Sequence, residues 1–401
     1  MTILKQPRRA VMAASIVIVG IAGLAACSAP PSQGSSADSI TVWTGLPYDS
    51  FQVPNTENFE RCEEETGISV ELQDFPPGEL TGKVLQAATS NDLPDLLYLE
   101  GTDLTRVAET GVLTDLADYD ITAEGYDAKL QQMGTYDGTL YGVAPGVNTV
   151  GMFYNKGMFA EAGVEVPTTF AELRDVAAKL TTPDRMGLAL SAGSGAGPYV
   201  FLPFLLSAGG DPSDLTTPEA AEALQLWKDL VSDGSTSSSA VTWDWDAQDY
   251  FREGKAAMVM SGSWLFNEAE GLGIDLGVFP IPSPDGSGPS RSPIGAELWT
   301  IPVTDDAHQA AAAEVLSCIT NDENALIMAE QSRRTPGDTS VGEDYAAEFP
   351  EEAPLVALIP DSYLRDPELN GKQTEQLTYA IQDAIANGTE PEEALEKASE
   401  Q

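Results

Sequence analysis

The sequence contains one histidine, three cysteines and only 20 lysine and arginine residues, against 63 aspartate and glutamate residues. A single histidine excludes zinc sites and catalytic mechanisms that need two imidazole groups. Three cysteines exclude a four-cysteine zinc site and a disulfide-rich scaffold. The formal net charge of −43 argues against nucleic-acid binding, because contact with phosphates needs a basic surface. We therefore expect no metal, no cofactor and no nucleic-acid partner.

Sequence motifs of catalysis are also missing. The chain has no Gly-x-Ser-x-Gly motif, no phosphate-binding loop and no Gly-x-Gly-x-x-Gly motif. Asp244, Asp246 and Asp249 lie close together, but the glycine and distal glutamate of a calcium-binding loop are absent, which favours a solvent-exposed helix start. We therefore expect a protein that is not an enzyme. An extracellular hydrolase that uses two of the many carboxylates is the enzymatic alternative.

The first 26 residues have the pattern of an export signal. Lys5, Arg8 and Arg9 form a positively charged start, and an uncharged stretch rich in alanine and glycine follows. The stretch ends in Leu-Ala-Ala-Cys, which resembles a bacterial lipobox with Cys27 as the lipidated residue. We expect residues 1–26 to be a signal peptide and Cys27 to carry a lipid. A plain cleaved signal beside an ordinary cysteine is the alternative.

The segment after the signal indicates how the body is held. Residues 27–39 are small, polar and proline-containing, which is typical of a flexible tether. No second long apolar stretch follows, so we expect a lipid-anchored body at the extracellular face of the cytoplasmic membrane. In an exported protein, Cys62 and Cys318 can form a disulfide or remain two buried thiols, and the sequence leaves both open.

The length of 401 residues and the hydrophobic fraction of 42% indicate a globular protein with two domains as the first expectation. The start of the body alternates strand-like and helix-like segments. They are a strand at 40–43, a helix at 55–66, a strand at 68–72, a helix at 79–89 and a strand at 94–99. This order predicts βαβ units, an α/β fold and a mainly parallel sheet.

Three further helices have clear start signals. Thr169 and Glu172 form a capping box, and Thr217 is followed directly by a proline. Thr389 with Glu392 predicts a third helix start near the carboxyl terminus.

Several segments together resemble the extracellular carbohydrate-binding proteins of ABC importers, the maltose-binding-like group. The matching segments are 59–60 (Phe-Glu), 65–70 (Glu-Thr-Gly-Ile-Ser-Val), 94–96 (Pro-Asp-Leu), 111–116 (Gly-Val-Leu-Thr-Asp-Leu), 141–145 leading to 153–156, 159–163, and 254–258 leading to 262–264. Each match is short, but their order and spacing extend over roughly residues 40–400.

The resemblance implies a type II periplasmic-binding-protein fold, in which a hinge joins two discontinuous α/β lobes around a ligand cleft. Lobe 1 would comprise residues 40–146 and 295–335, and lobe 2 would comprise residues 147–294 and 336–401. The chain would cross between the lobes near residues 146–150, 293–295 and 335–340. The implied function is capture of a mono- or oligosaccharide by a monomer that delivers it to the transmembrane subunits of an ABC permease. A polyol, a peptide or a phosphate ester is the alternative ligand, because fold does not fix ligand.

The candidate ligand residues follow from the chemistry of sugars. A sugar ring has apolar C–H faces and a rim of hydroxyl groups, so its site needs aromatic platforms and polar groups. By resemblance, Trp264 and Tyr199 are the platforms, and Asn148 at a crossing segment is a polar contact. Gly197 stands where the maltose binder has an acidic residue, which argues against maltose itself.

Other candidates belong to loops, to strand ends and, for Glu375 and Tyr379, to a carboxyl-terminal helix, all of which reach the cleft in this architecture. They are Tyr48, Glu100, Thr102, Trp243, Trp245, Glu297, Trp299, Arg334, Glu375 and Tyr379. Trp243 and Trp245 can equally pack in the core or on the surface. Glu297 and Trp299 are two residues apart on one strand, so a regular strand points both in the same direction.

Overall fold

The computed structural model describes residues 37–46, 49–76, 78–90, 92–364 and 371–401. The predicted signal peptide, the predicted lipidation site Cys27, most of the predicted tether and the candidate Tyr48 lie outside these residues. Within the described ranges, none of the helices combines the length and apolar character needed to cross a bilayer.

Strands and helices alternate along the described part of the chain. The strands are β1 (Ser39–Thr44), β2 (Ser69–Asp74), β3 (Leu96–Glu100), β4 (Thr135–Tyr136), β5 (Thr139–Leu140), β6 (Gly142–Val143), β7 (Gly146–Asn148), β8 (Val150–Asn155), β9 (Met186–Ala189), β10 (Ala256–Gly262), β11 (Leu276–Phe279), β12 (Pro293–Thr300), β13 (Thr335–Pro336) and β14 (Tyr363–Leu364). The α-helices are α1 (Asp49–Thr66), α2 (Leu80–Ala88), α3 (Leu104–Ala108), α4 (Ala128–Met133), α5 (Lys156–Ala162), α6 (Phe170–Leu180), α7 (Gly197–Ser207), α8 (Pro218–Ser232), α9 (Ala247–Arg252), α10 (Trp264–Ala269), α11 (Asp306–Ile319), α12 (Asp322–Ser332), α13 (Thr339–Glu348), α14 (Ala353–Val356), α15 (Lys372–Ala386) and α16 (Pro391–Ser399). Four short 3₁₀ helices lie at Gly101–Asp103, Leu116–Tyr119, Ser238–Thr242 and Pro350–Glu352.

The first lobe is built on the predicted run of strand, helix, strand, helix and strand. β1 pairs in parallel with β2 on one side and with β3 on the other, which confirms the parallel start of the sheet. Ile40 and Val42 are buried whereas Ser39 and Thr41 are exposed, and this alternation turns one face of β1 to the core. Next to β3 the sheet becomes mixed, because β12 pairs antiparallel with β3.

Helix α1 starts six residues before the predicted position, at Asp49, and Pro54 lies inside it. Because proline is rare inside helices, the sequence does not indicate this extension. Helix α1 packs with α11 against the first sheet, and the core of this lobe draws its buried residues from 40–147 and 294–319.

The second lobe has its own sheet, with strand order β11-β8-β10-β9. β8 runs antiparallel to β10 and β11, whereas β10 and β9 are parallel. All seven residues of β10 are buried, as expected for a strand covered on both faces. The main core of the second lobe is formed by residues from 150–281 and 377–398. In this core, Trp227 is in edge-on contact with Phe201 and Phe204.

Two of the three predicted helix starts are confirmed. The Thr169 side chain accepts the Glu172 backbone N–H, and the Glu172 side chain accepts from the Thr169 backbone, which completes the capping box of α6. Thr217 caps α8 and a proline follows it. The prediction at Thr389 is wrong, since α16 begins at Pro391 with Glu390 as its N-cap residue and no capping side-chain bond. Proline fits best at the first position of a helix, so α16 starts at Pro391.

Three strands at the predicted crossings lie side by side. β7 pairs antiparallel with β12 through Asn148 opposite Gly295, and β13 pairs antiparallel with β7 through Thr335 opposite Val147. Val147 belongs to the first core and Val150, three residues later, belongs to the second. Val147 and Ile294 of the first core each lie one residue beyond the predicted ends of lobe 1, and the lobe boundaries stay a prediction.

The two remaining cysteines connect helices of the first lobe. Cys62 of α1 and Cys318 of α11 form a disulfide that closes a separation of 256 residues. Both residues are buried. Of the two states that the sequence leaves open, the structure contains the bridged one.

Candidate functional site

A cavity of about 570 Å³ lies where the crossing strands meet the two sheets. Its volume is within the range of roughly 300–1,000 Å³ that is usual for small-molecule sites. The first lobe contributes Glu100, Thr102, Thr105 and Gln132, the second contributes Gly195, Tyr199, Trp245 and Trp264, and the crossing segments contribute Asn148, Gly295, Glu297 and Arg334. The cavity therefore has a wall from each lobe, with the crossing strands at its base.

Trp264 is held in the cavity wall by its neighbours. It is the first residue of α10, directly after the turn that follows β10. Its indole N–H donates to Oε1 of the buried Gln248 of α9 at 3.1 Å. A side-chain carbon at Gly262 would overlap the Trp264 ring, so only glycine allows the ring to lie back over the end of β10. The hydrogen bond to Gln248 and the absence of a side chain at Gly262 together fix the orientation of the Trp264 ring.

Trp264 is the end of a row of three aromatic rings. Its ring lies edge-on to Trp245, with centroids 5.9 Å apart and an interplanar angle of 85°. Trp245 is in turn edge-on to Tyr199, with centroids 5.7 Å apart. All three residues line the cavity. We call this set the aromatic row.

The glycine-rich segment before Tyr199 is fixed by Asp244. Oδ1 of Asp244 accepts the backbone N–H groups of Gly195 and Ala196, both at 2.8 Å. A side-chain carbon at Gly193 would come within 2.6 Å of the same oxygen, so the glycine allows the carboxylate to approach. The sequence does not show this role, because the partners are almost fifty residues apart.

The other two aspartates near Asp244 have separate roles. Asp246 precedes α9 as its N-cap residue, and Asp249 forms an ion pair with Arg252. In the described part of the chain, no group of three or more His, Cys, Asp or Glu residues is arranged to hold a metal ion.

The opposite side of the cavity carries two carboxylates and a guanidinium. β3 and β12 pair so that Glu100 lies directly opposite Glu297. Arg334, at 5% exposure, forms an ion pair with Glu297, at 7% exposure. The Tyr98 hydroxyl donates to Oε1 of Glu100 at 2.9 Å. Glu100 itself is open to the cavity, so it is the charged group of this side that a ligand can reach.

The surroundings of Glu100 disfavour its negative charge. Desolvation and the neighbouring Glu297 carboxylate raise the pKa of Glu100 to about 7, although the hydrogen bond from Tyr98 and the positive charge of Arg334 act in the other direction. Asp103, in the 3₁₀ helix after β3, adds a smaller repulsion. Glu100 therefore changes its protonation state close to neutral pH.

We expect Glu100→Gln to raise the melting temperature at pH 8 by about 2 °C and to leave it nearly unchanged at pH 4. The folded protein binds this proton more tightly than the unfolded chain, so protonation stabilises the fold below pH 4.5 and that contribution is lost as the pH rises through about 7. Glutamine stays neutral over this pH range, so the variant does not lose stability through ionisation at position 100. Thermal unfolding from pH 4 to pH 8 measures the difference. Glu109→Gln, an exposed glutamate after α3, is the control, and an equal pH dependence in both variants would contradict the assignment.

Asn148 offers polar atoms at the base of the cavity. It ends β7 opposite Gly295, where a side-chain carbon would come within 2.6 Å of the Asn148 side-chain oxygen. In the described part of the chain its amide group has no hydrogen-bond partner. Thr102 and Thr105, one turn apart, add hydroxyl groups to the first-lobe wall.

Eight of the candidate residues from the sequence therefore line one cavity. They are Glu100, Thr102, Asn148, Tyr199, Trp245, Trp264, Glu297 and Arg334. Sequence reasoning missed Thr105 and Gln132. Thr105 carries a usable signal, because it lies three residues after Thr102 at helical spacing.

The prediction that Trp299 contacts the ligand is wrong, because Trp299 is a core residue with 1% exposure. It packs edge-on against Phe59 of α1 and Tyr98, with ring centroids 5.2 and 5.8 Å away. Glu297 and Trp299 share a face of β12, as expected. That face lines the cavity at Gly295 and Glu297 but not at Trp299, where Phe59 of α1 packs against it.

Trp243, Glu375 and Tyr379 are also not among the residues that line the cavity. Trp243 stacks on Tyr250, with centroids 4.4 Å apart, and packs against the second core. Glu375 and Tyr379 are four residues apart on an exposed side of α15, whose other side is buried.

Comparison with known proteins places the chain among binding proteins. Residues 57–357 match the sequence profile described as bacterial extracellular solute-binding protein. The galactooligosaccharide-binding protein of Bacillus subtilis is 25% identical over 404 residues, which cover 94% of this chain and 92% of that protein. The maltodextrin-binding protein of the same organism is 26% identical over 359 residues, which cover 82% and 80% of the two chains.

Solved structures show the same architecture. The GacH receptor of Streptomyces glaucescens, solved unliganded and in complex with acarbose, superposes with a TM-score of 0.79 at 25% identity. The match covers 90% of this chain and 96% of that receptor. The expected fold of two α/β lobes around a cleft is confirmed.

Proposed function

The chain belongs to the family of bacterial extracellular solute-binding proteins, and we propose that it captures a carbohydrate in its cavity and delivers it to the permease of an ABC importer. The profile match extends over residues 57–357, which is most of the body. The similar galactooligosaccharide- and maltodextrin-binding proteins support a sugar as the ligand.

One observation carries this proposal: an aromatic row faces a polar wall across a single cavity. The row contributes aromatic rings to the lining, and the first lobe and the crossing strands contribute carboxylate, amide and hydroxyl groups. A sugar needs both at once, because its C–H faces and its hydroxyl rim point in different directions. A purely apolar ligand would cover the Glu100 carboxylate without offering it a hydrogen-bond donor, at a cost in binding free energy.

The mechanism is closure of the two lobes around the sugar. The aromatic row belongs to the second lobe and Glu100 to the first, so a ligand that contacts both favours the closed arrangement over the open one. The binding free energy that the ligand gains by contacting both lobes instead of one sets how far the population shifts toward the closed form. The closed form then presents a surface that the transmembrane subunits of the permease recognise.

The family is extracellular, so the protein is exported. We extend this to a monomer anchored through a lipid on Cys27, with residues 27–39 as the tether, at the extracellular face of the cytoplasmic membrane. The family consists of binding proteins, and the function proposed for this chain requires no bond to be made or broken.

The aromatic row gives a direct test. We expect a mono- or oligosaccharide to raise the melting temperature and to change tryptophan fluorescence, and we expect Trp264→Ala to lower the affinity for that sugar about 30-fold, or about 2 kcal/mol. Tyr199→Ala should have a smaller effect in the same direction. Isothermal titration calorimetry with a panel of mono- and oligosaccharides gives the affinities.

Trp243→Ala is the matched control, because it removes a half-buried tryptophan of the same lobe that lies outside the cavity. Its affinity should equal that of the parent protein. If no sugar of the panel changes the melting temperature while a polyol, peptide or phosphate ester does, the fold stands and the proposed ligand class is wrong. Turnover of a chromogenic glycoside would contradict the proposed binding-only role.

A further inference from the structure

The charges of the cavity do not balance. In the described part of the chain, the charged residues that line it are Glu100, Glu297 and Arg334. Arg334 is committed to an ion pair with Glu297, and both side chains are more than nine-tenths buried. Glu100 accepts a hydrogen bond from the Tyr98 hydroxyl, a neutral donor, and forms no ion pair with a described lysine or arginine. Among the described residues these three charges therefore sum to −1, and Arg334, whose positive charge also acts on Glu100, is already paired with Glu297.

Closure of the cleft makes this charge more costly. As the lobes approach, water is displaced from Glu100, and a carboxylate without a counter-charge is strongly disfavoured in such surroundings. The direction of its pKa shift has the same origin, namely desolvation and the adjacent Glu297. Above about pH 7, where Glu100 is ionised, a neutral sugar supplies hydroxyl donors to this carboxylate but leaves its charge in place. An ammonium group supplies three N–H donors together with a compensating positive charge.

The aromatic row favours the same partner. Ring faces of tryptophan and tyrosine attract a cation within about 6 Å, and they also pack against sugar C–H groups. The rings of Tyr199, Trp245 and Trp264 line the same cavity as Glu100, from the other lobe. A ring-shaped ligand with a cationic substituent has contacts on both sides.

We propose that the ligand is a carbohydrate bearing a protonated amine, which the Glu100 carboxylate binds while the aromatic row packs against the sugar ring. This inference rests on the proposed carbohydrate-binding function and specifies the class of sugar. Glu100 is then the residue that distinguishes an amino sugar from its neutral counterpart.

Matched sugars that differ at one substituent test the proposal. Isothermal titration calorimetry of the purified protein would compare glucosamine, glucose and N-acetylglucosamine, and the β-1,4-linked disaccharides of the same three units. We expect the ammonium member of a set to bind about tenfold tighter than its hydroxyl counterpart. In Glu100→Gln that preference, taken as the ratio of the two affinities within the variant, should fall below about twofold.

Glu109→Gln, which removes one exposed carboxylate from the same lobe, should keep the tenfold preference and so separates a local effect from net charge. Equal or weaker binding of the ammonium member by the parent protein would overturn the inference and leave the proposed function intact. A preference that survives in a folded Glu100→Gln protein, checked by circular dichroism, would overturn the role of Glu100. If neither charged nor neutral sugars bind, the inference and the proposed function both fail.

Discussion

Replacing Arg334 by methionine is expected to lower the free energy of unfolding by about 3 to 5 kcal/mol and to abolish measurable ligand binding. The guanidinium is buried beside Glu297, which lies opposite Glu100 across two paired strands. Without Arg334, the buried Glu297 carboxylate loses its ion-pair partner, and Glu100 loses a positive charge that opposes its repulsion from Glu297. Equilibrium denaturation in urea, followed by tryptophan fluorescence, measures the loss.

A second replacement separates the buried charge from the shape of the side chain. In the double variant Glu297→Met with Arg334→Met, the uncompensated carboxylate disappears, so most of the lost stability should return while ligand binding stays absent. Arg106→Met removes an exposed arginine of α3 and should cost less than about 0.5 kcal/mol. An Arg334→Met protein as stable as the Arg106→Met protein would refute the structural role of the ion pair.

Removing the disulfide is the other change with a large expected effect. The bond between Cys62 and Cys318 closes a separation of 256 residues, and cross-links over long loops restrict the unfolded chain most. We expect Cys62→Ala with Cys318→Ala to lower the free energy of unfolding by about 4 kcal/mol. The sugar affinity should stay within about twofold of the parent value, because both cysteines lie in helices of the first lobe and neither lines the cavity.

Urea denaturation of the parent protein with and without reductant provides the comparison without mutation. The reduced parent should match the double alanine variant. Complete alkylation of both cysteines in the folded, unreduced protein would show that the bridge is not formed, and the stability prediction would then fail with it.

Elements with strong local signals could be predicted from the sequence. The capping box at Thr169 and Glu172 and the strand at 40–43 each follow from neighbouring residues, and the structure contains both. The start of α16 differs by two residues because Pro391 decides it rather than Thr389. Local sequence predicts which helices and strands form. The residue at which each one begins or ends is less predictable, because adjacent residues favour different positions.

The site was partly predictable for a different reason. Trp264, Tyr199 and Asn148 were chosen by resemblance, and the structure brings them to one cavity. Their roles as ligand contacts stay proposals until binding is measured. Glu297 and Trp299 look equivalent in sequence, and only the position of α1 separates a cavity residue from a core residue.

Partners that are distant in the chain could not be predicted. Asp244 holds the glycine-rich segment before Tyr199, and Gln248 holds Trp264, but nothing in the sequence links these pairs. Each depends on the packing of the second lobe as a whole.

The pairing of β7, β12 and β13 constrains how the protein can move. Separate single-chain linkers would let two bodies twist, slide or drift apart independently. Hydrogen-bonded strands must instead deform together, because moving one strand alone would break the bonds to its neighbour. Bending of the three strands as one unit is then the motion that keeps their hydrogen bonds intact.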